Sequence, residues 1–268
     1  MGKTQRELAF LRDLYIVPDW TRRFTGLFDK NVKFDDDKEI LYINAGSGNH
    51  LLELKEKIAV DVRLHAYGVD EESNILARGK AEMIGAEINF ASEFPRESYD
   101  LVIADASFVQ PGDLSDFLAE AAELTDKRIA FFLPTAGSFG EIFSFLWESF
   151  LNADLLDKAA EVERLISAIP TISRIEEMSE SLGFTKVKAT TEAESFEFAN
   201  GTEFINSPLV ADFLLPVWLD FVDEEEQERV RGTLTQLIDD NAEDLTFRFT
   251  VKATLVTGEK ELSDVHAD

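Results

Sequence analysis

Residues 40–51 read Ile40-Leu41-Tyr42-Ile43-Asn44-Ala45-Gly46-Ser47-Gly48-Asn49-His50-Leu51. An apolar run, a Gly-x-Gly pair and the start of an amphipathic stretch make a strand, a sharp turn and a helix. Such a turn needs glycine because the backbone bends into conformations other residues resist and because a ligand approaches its amides closely. The helix that follows presents unpaired N–H groups suited to an anionic ligand group. A second signal lies 24 residues beyond Gly46, in Ala66-Tyr67-Gly68-Val69-Asp70, a strand that ends in a carboxylate. An acid at that place can accept hydrogen bonds from both hydroxyls of a ribose. With Glu72-Ser73 beside it, Asp70 is also placed to cap a helix.

Working outward, strands and helices alternate. Ile40–Ile43, Leu64–Val69, Ile88–Phe90, Tyr99–Ala104 and Ile129–Leu133 are short apolar runs. Helical patterns separate them around Leu51–Ile58, from Ser73 to near Gly85, and over Leu114–Leu124. Strands that are apolar on both faces and alternate with helices imply a parallel sheet covered on both sides, an open doubly wound α/β fold. Ahead of it, Leu8, Leu11, Leu14 and Tyr15 share a helical face, and Pro18-Asp19-Trp20 can restart a second helix through Trp20, Phe24, Leu27 and Phe28. Asp35-Asp36-Asp37-Lys38 reads as a polar turn. After Pro134, the aromatic-rich stretch Phe139–Phe150 reads either as core between helices or as the lining of a cap, with 134–140 as a glycine-containing hinge. Helices follow over Leu155–Ala168 and from Thr171 to Leu182, stopped by Gly183. Phe184–Thr190 and Phe247–Val256 alternate as strands, Asn200–Asp244 is mostly helical, and the acidic run Asp223–Glu228 opens a helix. The expectation is one domain over 1–268: a helical extension at 1–38, a cofactor-binding half at 39–134, a cap at 135–170, and a C-terminal half at 171–268 with a helical insertion at 200–244.

Composition narrows the function. The 268 residues are 45% hydrophobic and 29% charged, ordinary for a globular chain with a large core. With 53 acidic and 26 basic residues the net charge is −27. Such a surface repels phosphate backbones and anionic membranes, so neither nucleic acid nor membrane is an expected partner. Cysteine is absent, which removes disulfides, thiolate metal sites and thiol nucleophiles. The three histidines, His50, His65 and His266, are scattered, so no metal site is expected. The first residues lack a signal-peptide core and no stretch is apolar for long enough to span a membrane, so the expectation is a cytoplasmic protein.

A dinucleotide fold would place a third glycine at position 51, which is Leu51. The glycine turn, Asp70 and the element order instead resemble the class I S-adenosylmethionine-dependent methyltransferases over roughly Ile40 to Leu133, more weakly through Val256. Asn44 to His50 resembles that family's acid-x-Gly-x-Gly-x-Gly motif, Gly68-Val69-Asp70 its ribose-binding strand end, and Tyr99–Asp105 its fourth-strand motif. The resemblance implies a seven-stranded, mostly parallel Rossmann-like sheet with its last strand antiparallel. It implies an S-adenosyl-L-methionine site formed by Asn44, Gly46, Ser47, Gly48, Asp70, Ala91, Ser92 and Asp105. Three positions depart from the family: Asn44 stands in place of an acid, His50 in place of the third glycine, and Phe90-Ala91-Ser92 lacks the acid that reads the adenine amine. The implied reaction is in-line methyl transfer to a small-molecule acceptor, with Asp105 as the first catalytic candidate and His50 as the second. The absence of an Asn/Asp-Pro-Pro-aromatic run after the fourth strand speaks against nucleic-acid methylation. The alternatives are a non-catalytic binding module that keeps the fold and, less favoured, a nicotinamide-dependent oxidoreductase. The sequence does not give the oligomeric state.

Overall fold

The computed structural model describes residues 2–34, 36–241 and 246–261. Asp35 of the expected polar turn, residues 242–244 of the C-terminal helical stretch, and His266 lie outside them. In chain order the elements are α1 (Gln5–Leu11), a π-helical segment (Arg12–Thr21), α2 (Arg22–Asn31), β1 (Glu39–Ile43), α3 (Asn49–Lys57), β2 (Arg63–Tyr67), α4 (Glu71–Ile84), β3 (Asn89–Phe90), β4 (Tyr99–Asp105), α5 (Leu114–Glu123) and β5 (Thr125–Thr135). There follow α6 (Gly140–Asn152), α7 (Ala159–Ala168), α8 (Ile172–Ser181), β6 (Phe184–Phe198), α9 (Gly201–Asn206), a second π-helical segment (Leu209–Leu214), α10 (Leu215–Trp218), α11 (Glu224–Asn241) and β7 (Phe247–Lys260). No helix among the described residues is long and apolar enough to cross a membrane.

The seven strands form one sheet in the order β3-β2-β1-β4-β5-β7-β6. β1 pairs in parallel with both β2 and β4, Ile40 lying opposite Leu64 and Leu101; β2–β3 and β4–β5 are parallel as well. Lys260 donates to the Ala122 carbonyl ahead of β5, while Thr135 at the end of β5 donates to the Lys252 carbonyl. β7 therefore runs against β5. Thr185 meets Glu259 and Thr191 meets Thr254, so β6 runs against β7 and with the rest. This is the doubly wound, mostly parallel sheet with one antiparallel strand that the sequence implies. Ile40–Ile43 and Leu101–Ala104 are buried throughout, as strands covered on both faces must be.

The chain divides into two units: Met1–Leu133 with Ile172–Thr191 and Ala253–Asp268, and Pro134–Thr171 with Glu192–Lys252. In the first, α5 and α8 cover one sheet face through Leu118, Ala121 and Ile175 against Val102, Ile129 and Phe131. The N-terminal helices pack as well: Trp20, Phe24 and Phe28 are fully buried, with Phe24 stacked 6.0 Å from Phe132 of β5. Each such ring contributes about 1.5–3 kcal/mol through burial. The expected break between two helices at Pro18 does not occur. The chain stays helical from Gln5 to Asn31, and Pro18 sits inside the π-helical segment, whose wider turn accommodates a residue that has no N–H to donate. That wide turn also shifts the helical phase. Leu14 and Tyr15, expected on the inner face, are 64% and 54% exposed, while Ile16 and Trp20 point inward.

The second unit is helical around an aromatic core. Phe139, Phe143 and Phe150 are buried; Trp218 lies 5.1 Å from both Phe139 and Phe143, and Phe196 stacks on Phe249 at 5.0 Å. Within this unit the glycine-containing stretch 134–140 is held by hydrogen bonds. Ser138 donates to the Thr135 carbonyl and accepts from the Lys252 N–H, and the Phe139 N–H donates to Thr250. The acidic run opens α11 through reciprocal bonds, Glu226 N–H to the Asp223 carboxylate and Asp223 N–H to Glu226.

Candidate functional site

The site lies in the first unit, where the carboxyl ends of β1, β2 and β4 meet. At the end of β1, Asn44, Gly46 and Gly48 all take positive φ, at 57°, 57° and 83°. Two are glycine, and asparagine is among the few other residues that tolerate this conformation. The turn closes with the Gly48 N–H donating to the Ala45 carbonyl. Gly48 also brings α3 and α4 together, since a Cβ there would sit 2.7 Å from the Ala77 Cβ. Gly46 opens instead toward a cavity of about 230 Å³.

Asn44, Gly46, Asp70 and Asp105 line this cavity together, although 61 residues separate the first from the last. The Asn44 side-chain amide donates to the Asp105 main-chain carbonyl at 3.4 Å, tying the end of β1 to the end of β4. Asp70 caps α4, accepting from the Ser73 N–H at 3.2 Å and the Ser73 hydroxyl at 2.6 Å. Each carboxylate oxygen takes one such bond, and each keeps acceptor capacity for the cavity it lines. Capping and ligand binding are thus compatible at this residue. Asp105 accepts from the Ser107 N–H at 2.8 Å. Burial pushes its carboxyl above the usual carboxylate range, against the pull of its Ser107 hydrogen bonds and of the charges on Arg12 and His50.

The other candidates sit elsewhere. Ser47 is fully buried and donates to the Asp13 carboxylate at 2.6 Å. His50 is 5% exposed and bridges the Tyr42 hydroxyl at 3.0 Å and the Asp29 carboxylate at 3.2 Å, with Phe28 edge-on to its ring. Neither lines the cavity. Burial holds the Tyr42 hydroxyl protonated far above neutral pH, so that network is a staple between β1, α3 and α2. Ala91 lines a separate groove of about 690 Å³ with His65, Arg78 and Tyr99, and Ser92 is exposed.

Three residues that complete the cavity carry no motif. Asn74, one turn into α4, donates to the Gly68 carbonyl at 2.7 Å and fixes the end of β2. Phe108, in the loop after β4, packs on Trp20, whose indole donates to Ser107 at 3.1 Å. Arg12, from the π-helical segment, reaches in with its guanidinium 5.5 Å from the Phe108 ring centroid. Only the fold carries residue 12 to residue 46, so no spacing in the sequence marks it.

The strand order and the place of this cavity decide the fold. It is the fold of the class I S-adenosylmethionine-dependent methyltransferases. A methyltransferase from Geobacter sulfurreducens, solved with S-adenosyl-L-homocysteine, is 12% identical over 97% of this chain and 100% of its own, with a TM-score of 0.54. The YcgJ protein from Bacillus subtilis is 15% identical over 90% of this chain and 99% of its own, TM-score 0.53. A phosphoethanolamine N-methyltransferase from Haemonchus contortus is 11% identical over 97% of this chain and 60% of its own, TM-score 0.53. No family model and no curated protein matches the chain.

Proposed function

We propose that this chain is an S-adenosyl-L-methionine-dependent methyltransferase acting on a small-molecule acceptor. One observation carries the reading: the glycine turn at Gly46 and the acidic residues Asp70 and Asp105 line one cavity at the carboxyl edge of the sheet. Ligands bind open α/β sheets at that edge. The chemistry of the donor set fits the cofactor. Asp70 offers two carboxylate oxygens to a pair of ribose hydroxyls, and Gly46 lets the backbone approach without a side chain in the way. The solved relative from Geobacter sulfurreducens holds the demethylated cofactor and has the same fold.

When bound, S-adenosyl-L-methionine supplies a methyl group on a positively charged sulfur, open to in-line displacement. The protein's part is alignment and electrostatics. Asp70 would hold the sugar and Gly46 and Asn44 would lie against the cofactor, while Asn44 ties the ends of β1 and β4 together. Asp105 faces the cavity and accepts a hydrogen bond from the acceptor's O–H or N–H. With its carboxyl raised by burial, it would also be the better acceptor for the acceptor's proton. A net charge of −27 favours an acceptor that is not polyanionic.

Calorimetric titration with S-adenosyl-L-methionine and S-adenosyl-L-homocysteine tests the proposal. Micromolar binding of both, lost in Asp70→Ala, is the expected result. No heat from either ligand, with the protein shown to be folded, overturns it.

A further inference from the structure

The groove of about 690 Å³ beside Ala91 is a second recess, and it shares no lining residue with the cavity at the carboxyl edge. It runs along the free edge of β3, between α4 and residues 95–99. Asn89 and Tyr99, the first residues of β3 and β4, both line it, so it opens on the amino side of those strands. Two of its groups are built in without a partner. Tyr99 is 5% exposed, yet its hydroxyl makes no hydrogen bond with a described residue. A tyrosine hydroxyl that deep ordinarily has a partner. His65 stands edge-on to Tyr99 at 5.0 Å and is held by the Glu39 carboxylate at 2.9 Å. A carboxylate only accepts, so the His65 Nε2 carries the proton, and in the neutral ring Nδ1 keeps a lone pair for a donor from outside the protein. Burial lowers the pKa of the ring, which favours that neutral form.

Charge is disposed around these two groups. The Arg78 guanidinium, on the α4 wall, lies 5.7 Å from the Phe90 ring centroid. Neither it nor Arg96 on the other wall is ion-paired or hydrogen-bonded to a described residue, although 53 acids outnumber 26 bases in the chain. A guanidinium laid on an aromatic ring keeps its in-plane N–H groups for a carboxylate, which it receives through two parallel bonds. Glu82 and Glu97 also line the groove and match the two arginines in number, which suits a singly charged ligand better than a phosphate ester. We propose that this groove binds a small hydroxylated aromatic carboxylate, its carboxylate on Arg78, its ring among Phe90, His65 and Tyr99, and its hydroxyl donating to the His65 Nδ1 and accepting from the Tyr99 hydroxyl. None of these contacts requires a cofactor in the other cavity.

NMR chemical-shift titration of the whole chain tests this with three probes: 4-hydroxybenzoate, benzoate, which lacks the hydroxyl, and 4-hydroxybenzamide, which lacks the charge. Submillimolar affinity is expected for 4-hydroxybenzoate. Benzoate should bind about three- to tenfold more weakly and 4-hydroxybenzamide at least about tenfold more weakly. Arg78→Gln is expected to weaken 4-hydroxybenzoate roughly 10–100-fold and to leave 4-hydroxybenzamide within about threefold. Tyr99→Phe keeps the ring, so it should weaken 4-hydroxybenzoate about three- to tenfold and leave benzoate within about twofold. Asp70→Ala, in the other cavity, should leave all three probes unchanged. Unfolding midpoints are recorded for each variant, since a groove merely deformed by a substitution would weaken every probe together. No shift changes with 4-hydroxybenzoate at millimolar concentration, or losses that do not sort by probe, overturn the proposal. Binding that Asp70→Ala abolishes and Arg78→Gln spares places the ligand in the carboxyl-edge cavity and overturns it as well.

Discussion

Gly48→Ala tests the glycine turn where the structure is least forgiving. The substitution carries two separable costs. Gly48 holds φ at +83°, which costs a residue with a Cβ about 1–2 kcal/mol. The new Cβ would also lie 2.7 Å from the Ala77 Cβ and 3.1 Å from its Cα, which belongs to the α4 backbone and cannot swing aside. Overpacking of that kind costs about 1–3 kcal/mol. The total is about 2–5 kcal/mol, a fall of roughly 4–20 °C in Tm for a chain of this size. Ala77→Gly removes the obstructing methyl but places glycine inside a helix, at about 1 kcal/mol. The double variant then keeps the backbone cost, the glycine cost and the 3.1 Å approach to the residue-77 Cα but sheds the 2.7 Å contact with the Cβ, so its loss should fall short of the sum of the two single losses by about 1–2 kcal/mol. Urea unfolding of the four proteins in the cycle measures it. A Gly48→Ala loss below about 1 kcal/mol, or strictly additive losses in the double variant, would refute the claim that this glycine exists for close packing of α3 on α4.

Three further outcomes follow from the site. Asp105 has its pKa raised by burial, so its ionisation opposes folding: the native state is favoured below the ordinary carboxylate range and loses that advantage as pH rises through the shifted value. Asp105→Asn, which can still accept from the Ser107 N–H, should therefore gain stability relative to wild type as pH rises from about 4 to 7; a flat difference in denaturation midpoints would contradict this. Asp70→Ala should lose the α4 cap, at about 0.5–2 kcal/mol, together with ligand affinity. Asp70→Ser should recover the stability without the affinity, and recovery of both would show that Asp70 acts only as a cap. His50→Ala leaves the buried Tyr42 hydroxyl without its partner, at about 1–3 kcal/mol, with cofactor affinity unchanged; a tenfold loss of affinity at unaltered stability would move His50 into the site.

Much of the fold could be read from local pattern. The apolar strands, the helical spacings between them and the glycine turn are short-range features, and the doubly wound sheet follows because strands apolar on both faces need cover on both. The N-terminal segment was the exception. Its spacing predicted Leu14 and Tyr15 inside, but a π-helical stretch with Pro18 turned them outward, and periodicity at 3.6 residues cannot foresee a wider turn. Asp70 was legible both as a cap and as a ligand-facing acid because both depend on its position at a strand end. Arg12, Asn74 and Phe108 were not legible, since nothing local distinguishes them from other surface residues of their kind.

The sequence by itself determined the alternation of elements, the left-handed turn at Gly46 and Gly48, and the carboxylates at the ends of β2 and β4, because backbone conformation and strand period depend on near neighbours. Only the tertiary structure decided that His50 and Ser47 face inward to packing partners, that Gly48 serves helix packing while Gly46 serves the cavity, and that an arginine from the first helical segment closes over the turn. Those outcomes depend on which residues from distant parts of the chain are pressed together when the sheet is covered, and no local spacing encodes that.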